Sequence, residues 1–158
     1  MNTSRYFFQY LPTPIGTLEI QADESSLLTV GFVDQQQATT ANAVTEHTHQ
    51  QLSEYLAGQR RAFTLPLGAL GTPFQQRVWQ LLSKLPYGQT CSYQYIARQL
   101  GNPKAVRAVG AANGKNPLAI VVPCHRVIGA NGSLTGYAGG LERKSWLLQL
   151  ESSQSQLI

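Results

Sequence analysis

Residues 118–129 read LAIVVPCHRVIG. An apolar run stops at Pro123 and then sets a thiol, an imidazole and a guanidinium side by side. Ile120, Val121 and Val122 predict a buried strand. Proline cannot donate to a sheet ladder, so the strand is expected to end at Pro123, leaving Cys124 at the mouth of a core element. A thiol is a poor nucleophile until it loses its proton, and His125 is the nearest base. Neighbours on an extended chain point to opposite sides, so contact between Cys124 and His125 requires a turn at Pro123 or a bridging water. Arg126 adds positive charge, which favours a thiolate.

Outward from this stretch, Thr72-Pro73-Phe74-Gln75 has the capping-box pattern with proline at the first helical position. A helix follows with Phe74, Val78, Leu81, Leu82 and Leu85 on one face, and PYGQ ends it. Ser92 caps a short helix, Tyr93–Leu100, which stops at Gly101. Asn102 caps the next, with Pro103 at its first position, running from Lys104 to about Asn113. Two short helices joined by a glycine-containing turn are a helix-turn-helix candidate. The second helix presents Ala105, Ala108, Gly110, Ala111 and Ala112 with a single Arg107, whereas major-groove helices present long polar side chains. Small residues permit either tight packing against another helix or close approach to DNA with one arginine probing the stack; the residues alone lean towards packing. Beyond the cysteine, GANGSLTGYAGG (129–140) holds five glycines in twelve residues and the Asn131-Gly132 turn signal, a wing-like loop. Leu141–Glu151 reads as a last helix burying Leu147, Leu148 and Leu150, and the tail SSQSQLI is expected to fray.

The first half reads differently. Tyr6–Leu11, Gly16–Ala22 and Leu27–Val33 predict three strands joined by the turns PTPIG and DESS, an antiparallel meander. QQQATTAN (35–42) is a loop, Ala43–Ala57 an amphipathic helix ended by Gly58, Ala62–Leu65 a returning strand, and PLGALG (66–71) the linker.

The 158 residues suit one core domain with a companion, and 42% hydrophobic content suffices for a core. The run 118–122 is far too short to span a bilayer, and the start MNTSRYFFQYLP has no signal-peptide pattern. The expected setting is cytoplasmic, with no membrane, and a prokaryotic source fits. The net charge of +4 divides unevenly. Residues 1–75 carry three arginines against six acidic residues, net −3, and residues 76–158 carry nine basic residues against two acidic, net +7. That asymmetry points either to a polyanion meeting the second half or to a solvated basic surface. Cys91 and Cys124 are not expected to bridge in this compartment. Cys91 reads as a packed residue, and His47 and His49 as exposed helix residues. No zinc-type spacing occurs.

PCHRVIG, preceded by GNPKAVRAVGAANGKNP and followed by GYAGG and RKSWLLQLE, closely resembles the O6-alkylguanine-DNA alkyltransferases, the methylated-DNA–protein-cysteine methyltransferases. The match is strong from Phe74 to Glu151 and weak over residues 1–70. The resemblance implies an α+β chain in two domains. Residues 1–70 would be a ribonuclease-H-like domain with a β-meander plus helix. Residues 71–158 would be a helical domain with a winged helix-turn-helix entering the minor groove. The implied activity is direct-reversal DNA repair: single-turnover, irreversible transfer of an alkyl group from O6-alkylguanine in duplex DNA to Cys124, with O4-alkylthymine left open as a second substrate. The implied partner is double-stranded DNA carrying the lesion, engaged by a monomer with scope for cooperative assembly, and with no cofactor or metal.

By position, Cys124 would accept the alkyl group, His125 would strip the thiol proton through a water, and Glu151 would polarise the imidazole. Asn116 would hold the active-site turn, and Tyr93 would face guanine N3. The carbonyls of Cys124 and Val127 would accept from the exocyclic amine, with Tyr137 and Ala138 also against the base. Arg107 would replace the flipped nucleotide, with Ser92, Gln94, Ala105, Ala108, Gly110 and Ala111 on the DNA side. Ala138 and Ala119 stand where some relatives carry serine and proline, which favours a roomier pocket. Two other readings differ in class: a lesion-binding alkyltransferase-like module without chemistry, which Cys124 argues against, and a cysteine hydrolase, which would turn over.

Overall fold

A computed structural model describes residues 5–155. The chain divides into two compact units, one taking in residues up to Leu70 together with Pro117–Val121, the other Gly71–Asn116 with the chain from Val122 onward. Segment 117–121, which the sequence reading left in the second domain, groups with the first.

The first unit is built on the meander β1 (Phe7–Thr13), β2 (Gly16–Ala22) and β3 (Leu27–Val33), antiparallel in the order β1-β2-β3. A two-residue turn pairs Thr13 with Gly16. Gly16 takes a positive φ of 124° there, which a side chain would resist. Alternation does the rest: Leu18, Ile20 and Ala22 are fully buried on one face, while Glu19 accepts from the Tyr10 hydroxyl at 2.8 Å on the other. Helix α1 (Ala43–Leu56) lays Val44, Thr48, Leu52 and Tyr55 towards the sheet. Asn42, expected in a loop, is its N-cap and forms a capping box with Thr45. The returning strand expected at Ala62–Leu65 does not form; only Leu67 makes an isolated bridge, to Leu27.

The strand expected at Ile120–Val122 does not form either. Pro117 and Ala119 flank Val30, with Val30 N donating to Pro117 O at 2.9 Å and Ala119 N to Val30 O at 3.0 Å. The chain then turns at Ile120, whose φ of 72° is left-handed, with Val121 N donating to Ala119 O. Burial of Leu118 and Ile120 holds that strained backbone in place, at a cost of about 1–2 kcal/mol. A short apolar run reads the same whether it becomes a strand or a buried turn.

In the second unit, α2 (Pro73–Ser83) has the Thr72/Gln75 capping box with Pro73 in its first turn. Its Trp79 indole donates to Ala112 O at 2.9 Å, tying α2 to α4. Helix α3 (Tyr93–Gln99) is capped by Ser92, which accepts from Tyr95 N at 3.1 Å, and Gly101 ends it at φ 75°. Helix α4 runs Val106–Gly114 and starts later than expected. Residues 102–105 close as a separate turn, Ala105 N to Asn102 O, so Asn102 and Pro103 lie outside the helix and the cap position, Ala105, has no side-chain cap. A two-residue parallel pair, β4 (Cys91–Ser92) with β5 (Val127–Ile128), sets Cys91 opposite Val127. Residues 129–140 form a loop whose tip is the expected Asn131-Gly132 turn, closed by Gly129 N to Ser133 O at 2.9 Å.

The last helix, α5, spans Leu141–Ser155. Its fully buried stripe is Lys144, Leu147 and Glu151, with Leu148 and Leu150 only partly covered. Residues 152–155, expected to fray, continue the helix; 156–158 lie outside the described residues. Among the described residues no helix is long and apolar enough to cross a membrane.

Candidate active site and helical surface

The site grows from a change of direction. Cys124 N donates to Val122 O at 2.8 Å around Pro123, whose φ/ψ of −82°/64° is an inverse γ-turn. The chain then enters a 3-10 turn, Cys124–Arg126. This is the turn that lets adjacent side chains depart from opposite-sided projection. Asn116 secures it by donating Nδ2 to Val122 O at 2.8 Å, and Asn113 Nδ2 reaches Cys124 O at 3.4 Å. Cys124, His125 and Arg126 are all buried.

His125 Nε2 lies 2.7 Å from Glu151 Oε2. Glu151 is buried on α5, where burial alone would raise its pKa. Hydrogen bonds from His125 and Arg126 outweigh that and hold it at about 2. The carboxylate is therefore ionised and can only accept, so Nε2 carries the histidine proton and Nδ1 carries the lone pair. That Nδ1 is buried with no hydrogen-bond partner among the described residues. Burial pushes the His125 pKa down, against the pull of Glu151, so the ring is neutral at rest.

Arg126 is engaged rather than directed at the thiol. Its Nε and Nη2 donate to the two Glu151 oxygens, each at 2.9 Å, Nη1 donates to Leu85 O at 2.7 Å, and the guanidinium lies 5.6 Å from the Tyr87 ring centre. The expected help from Arg126 to the thiolate is thus corrected: its charge is neutralised by Glu151. The cation that acts on Cys124 is Lys144, which sequence reading missed. Burial pushes the Cys124 thiol up; the Asn116 amide and the Lys144 ammonium pull it down without overcoming the burial. Lys144 was findable from helical spacing, since 144, 147 and 151 share one face of α5.

Tyr93 opens α3 and meets the loop: its hydroxyl accepts from Thr135 Oγ1 at 2.9 Å and lies 3.3 Å from Thr135 O as donor. Tyr137 has a buried hydroxyl without a hydrogen-bond partner among the described residues, and burial followed by the nearby Cys124 raises its pKa. Ala138 is exposed in the loop. Val127 O, expected to be open to an exocyclic amine, already accepts from Lys144 Nζ at 2.6 Å, which leaves it one lone pair.

On α4, Arg107, Ala108 and Ala111 are exposed and Gly110 is half-buried, whereas Val109, Ala112 and Asn113 face inward. The inward face does the packing, so the outer small residues are spare. Ser92 spends its hydroxyl on the α3 cap, and Gln94 Nε2 donates to Pro103 O at 3.1 Å. Ala105 is half-buried at the start of α4. Among the described residues, no group of three His, Cys, Asp or Glu side chains converges as metal ligands would.

Two family sequence models match: "6-O-methylguanine DNA methyltransferase, DNA binding domain" over residues 73–153, and "6-O-methylguanine DNA methyltransferase, ribonuclease-like domain" over 6–69. The constitutive methylated-DNA–protein-cysteine methyltransferase of Bacillus subtilis is 49% identical over 159 residues, covering 92% of this chain and 94% of that one. The crystal structure of the Mycobacterium tuberculosis O6-methylguanine methyltransferase superposes with a TM-score of 0.87 at 45% identity, over 95% of this chain and 94% of the other. A structure of Mycobacterium tuberculosis OGT in complex with DNA gives 0.86 at 47%, over 93% of each. With both halves matched in register and the buried Cys124–His125–Glu151 arrangement in the second, this chain belongs to the 6-O-methylguanine DNA methyltransferase family.

Proposed function

We propose that this protein repairs DNA by direct reversal, taking the alkyl group of O6-alkylguanine onto Cys124 once per molecule. The observation that carries the reading is the polarity of the buried histidine. A carboxylate fixes the proton on Nε2, which leaves Nδ1 as a base with no partner among the described residues, on the residue next to a buried thiol.

Resting Cys124 is a thiol, so its proton must leave as the reaction proceeds. A water between Sγ and His125 Nδ1 relays that proton to the imidazole, and Glu151 stabilises the imidazolium that forms. Because Arg126 occupies both Glu151 oxygens, Glu151 orients and stabilises but does not take the proton itself. The Sγ–C bond forms as the C–O6 bond breaks. The base leaves as a guanine anion, and Tyr93 protonates it at N3. The imidazolium proton then passes through water to the Tyr93 phenolate, and the products are a thioether, neutral guanine and a histidine and tyrosine restored to their resting forms. A thioether has no easy leaving group, so the protein is consumed.

Asn116 holds the turn that aims Sγ. The carbonyls of Cys124 and Val127 accept from the exocyclic amine, and Tyr137 and Ala138 border the base. The target is reached by flipping the nucleotide at a cost of a few kcal/mol. The exposed small-residue face of α4 (Ala108, Gly110, Ala111, with Ala105 at its start) lies in the minor groove and Arg107 fills the vacated stack. Ser92 and Gln94 hold the α3 turns that present this face. Residues 71–116 and 122–158 act as the DNA-binding and transfer domain, residues 1–70 with the returning segment 117–121 as the ribonuclease-H-like companion, and the protein works as a cytoplasmic monomer.

The test is incubation with a duplex bearing one O6-methylguanine, followed by intact mass and peptide mapping. One methyl increment on the Cys124 peptide, at one lesion per molecule, is expected. The Cys124→Ala variant should bind the duplex and gain no mass. A methyl gain in that variant, repeated turnover, or binding without any increment in the natural chain overturns the assignment.

A further inference from the structure

Lys144 is the most unusual charge in the molecule. Its side chain is completely buried on α5, yet no ion pair holds it among the described residues. A buried ammonium is costly to desolvate and persists only where fixed dipoles or an anion compensate it. The dipoles are present: Nζ donates to Val127 O and to Thr135 O. These two carbonyls matter for different reasons. Val127 follows the 3-10 turn that bears Cys124, and Thr135 is the loop residue that holds the Tyr93 hydroxyl through both its own hydroxyl and its carbonyl. One ammonium thus joins α5, the cysteine turn, the loop and the start of α3.

The other charged or titratable groups around the cysteine cannot replace it. Arg126 is neutralised by Glu151, His125 is neutral at rest, Tyr137 keeps its proton, and Arg143 donates to Gly139 O while acting on Tyr137. Lys144 is the cation electrostatically coupled to Cys124.

We propose that Lys144 is a positioning residue of the transfer. Its ammonium sets the Val127 and Thr135 carbonyls around the base, and from its seat on Val127 O, three residues beyond Cys124, its charge favours the thiolate. The anion exists only while the thiol is ionised, so the buried charge is compensated most fully at the moment Sγ attacks. Once Sγ is alkylated that anion is gone for good. The inference deepens the alkyl-transfer reading and rests on it, but its first test does not use a lesion.

In the full-length chain, with Cys91→Ser to remove the second thiol, carbamidomethylation of Cys124 by iodoacetamide is followed by mass across pH 6–10. Lys144→Met should raise the midpoint by about one pH unit, lowering the thiolate fraction at neutral pH about tenfold, and Lys144→Arg should recover part of it. An unchanged midpoint in a Lys144→Met protein that melts cooperatively overturns the proposal, whatever the lesion assay gives. A variant that fails to fold leaves a second measurement on the natural sequence. With 15N-labelled lysine, the buried Lys144 ammonium resonance should shift when Cys124 is carbamidomethylated by iodoacetamide, and no shift overturns the coupling. In the lesion assay, normal iodoacetamide behaviour without methyl transfer would instead count against the repair reading alone.

Discussion

Glu151 accepts from the neutral His125 imidazole and the Arg126 guanidinium at once, and the consequences are measurable at the level of a single side chain. Its folded pKa of about 2 lies below the ordinary 4.5, so the stability it contributes is present above pH 4.5 and drains away as pH falls from there towards 2. His125 adds an earlier loss. Its folded pKa is depressed below 6.5, so the unfolded chain binds a proton that the folded chain refuses, and stability begins to fall as pH drops through 6.5. Glu151→Gln should cost about 3–5 kcal/mol at pH 7, because Arg126 is left buried with its charge uncompensated. It should also abolish the loss below pH 4.5 that this carboxyl contributes. Urea unfolding of both proteins between pH 7 and pH 3.5 checks this; equally steep losses below pH 4.5 in the two would contradict the pairing. The pairing of a buried thiol with a buried imidazole was legible in the sequence because Cys124 and His125 are neighbours. That Arg126 serves Glu151 was not, because the partner lies 25 residues away and only α5 brings it back.

At the scale of elements, the legible features were those whose causes are local. The Thr72/Gln75 capping box, the Ser92 cap and the period-two burial of β2 are written within a few residues, and they form where expected. Helix α4 starts two residues later than the Asn102 cap signal predicts, because 102–105 close as a turn of their own, to which Gln94 Nε2 donates at Pro103 O. The buried face of α5 was misjudged because a lysine is read as solvent-facing by default. The small-residue face of α4, which composition left between packing and DNA approach, is solvent-exposed at Arg107, Ala108 and Ala111. Substitution there separates the two roles. Ala111→Leu should leave the melting free energy within about 0.5 kcal/mol of the natural chain, as exposed positions do. The same change should weaken duplex binding about tenfold or more by holding the helix off the sugar-phosphate backbone, a loss of about 1.4 kcal/mol or more. Fluorescence anisotropy beside a thermal melt reads both; undiminished affinity, or a lost melt, would return α4 to a packing role.

Over the whole molecule the two compact units are not two consecutive pieces of chain. The polypeptide leaves the first at Leu70, builds α2 to α4, and returns Pro117–Val121 to the first unit before it makes the cysteine turn. Sequence composition could not reveal this, since PLGALG marks the first crossing clearly while Leu118–Val122 looks like any core run. The return has an energetic consequence for dissection. Leu118 and Ile120 are 2% and 1% exposed, and Val30 exchanges backbone hydrogen bonds with Pro117 and Ala119. Cutting at residue 71 strips that cover. Each large aliphatic side chain returned to water costs about 1.5–3 kcal/mol, so an isolated 71–158 fragment should lose about 3–6 kcal/mol from these two alone, a large share of ordinary domain stability. The left-handed strain at Ile120 then has nothing to hold it, and the turn that aims Cys124 begins only three residues later. The fragment should therefore expose apolar surface, bind a hydrophobic dye and react slowly with the lesion, although it contains every residue proposed for the chemistry. Replacing Leu118 and Ile120 by serine and glycine should cure its solubility without restoring the rate. A fragment that melts cooperatively within about 5 °C of the full chain and repairs at the same rate would show that the returning segment is dispensable.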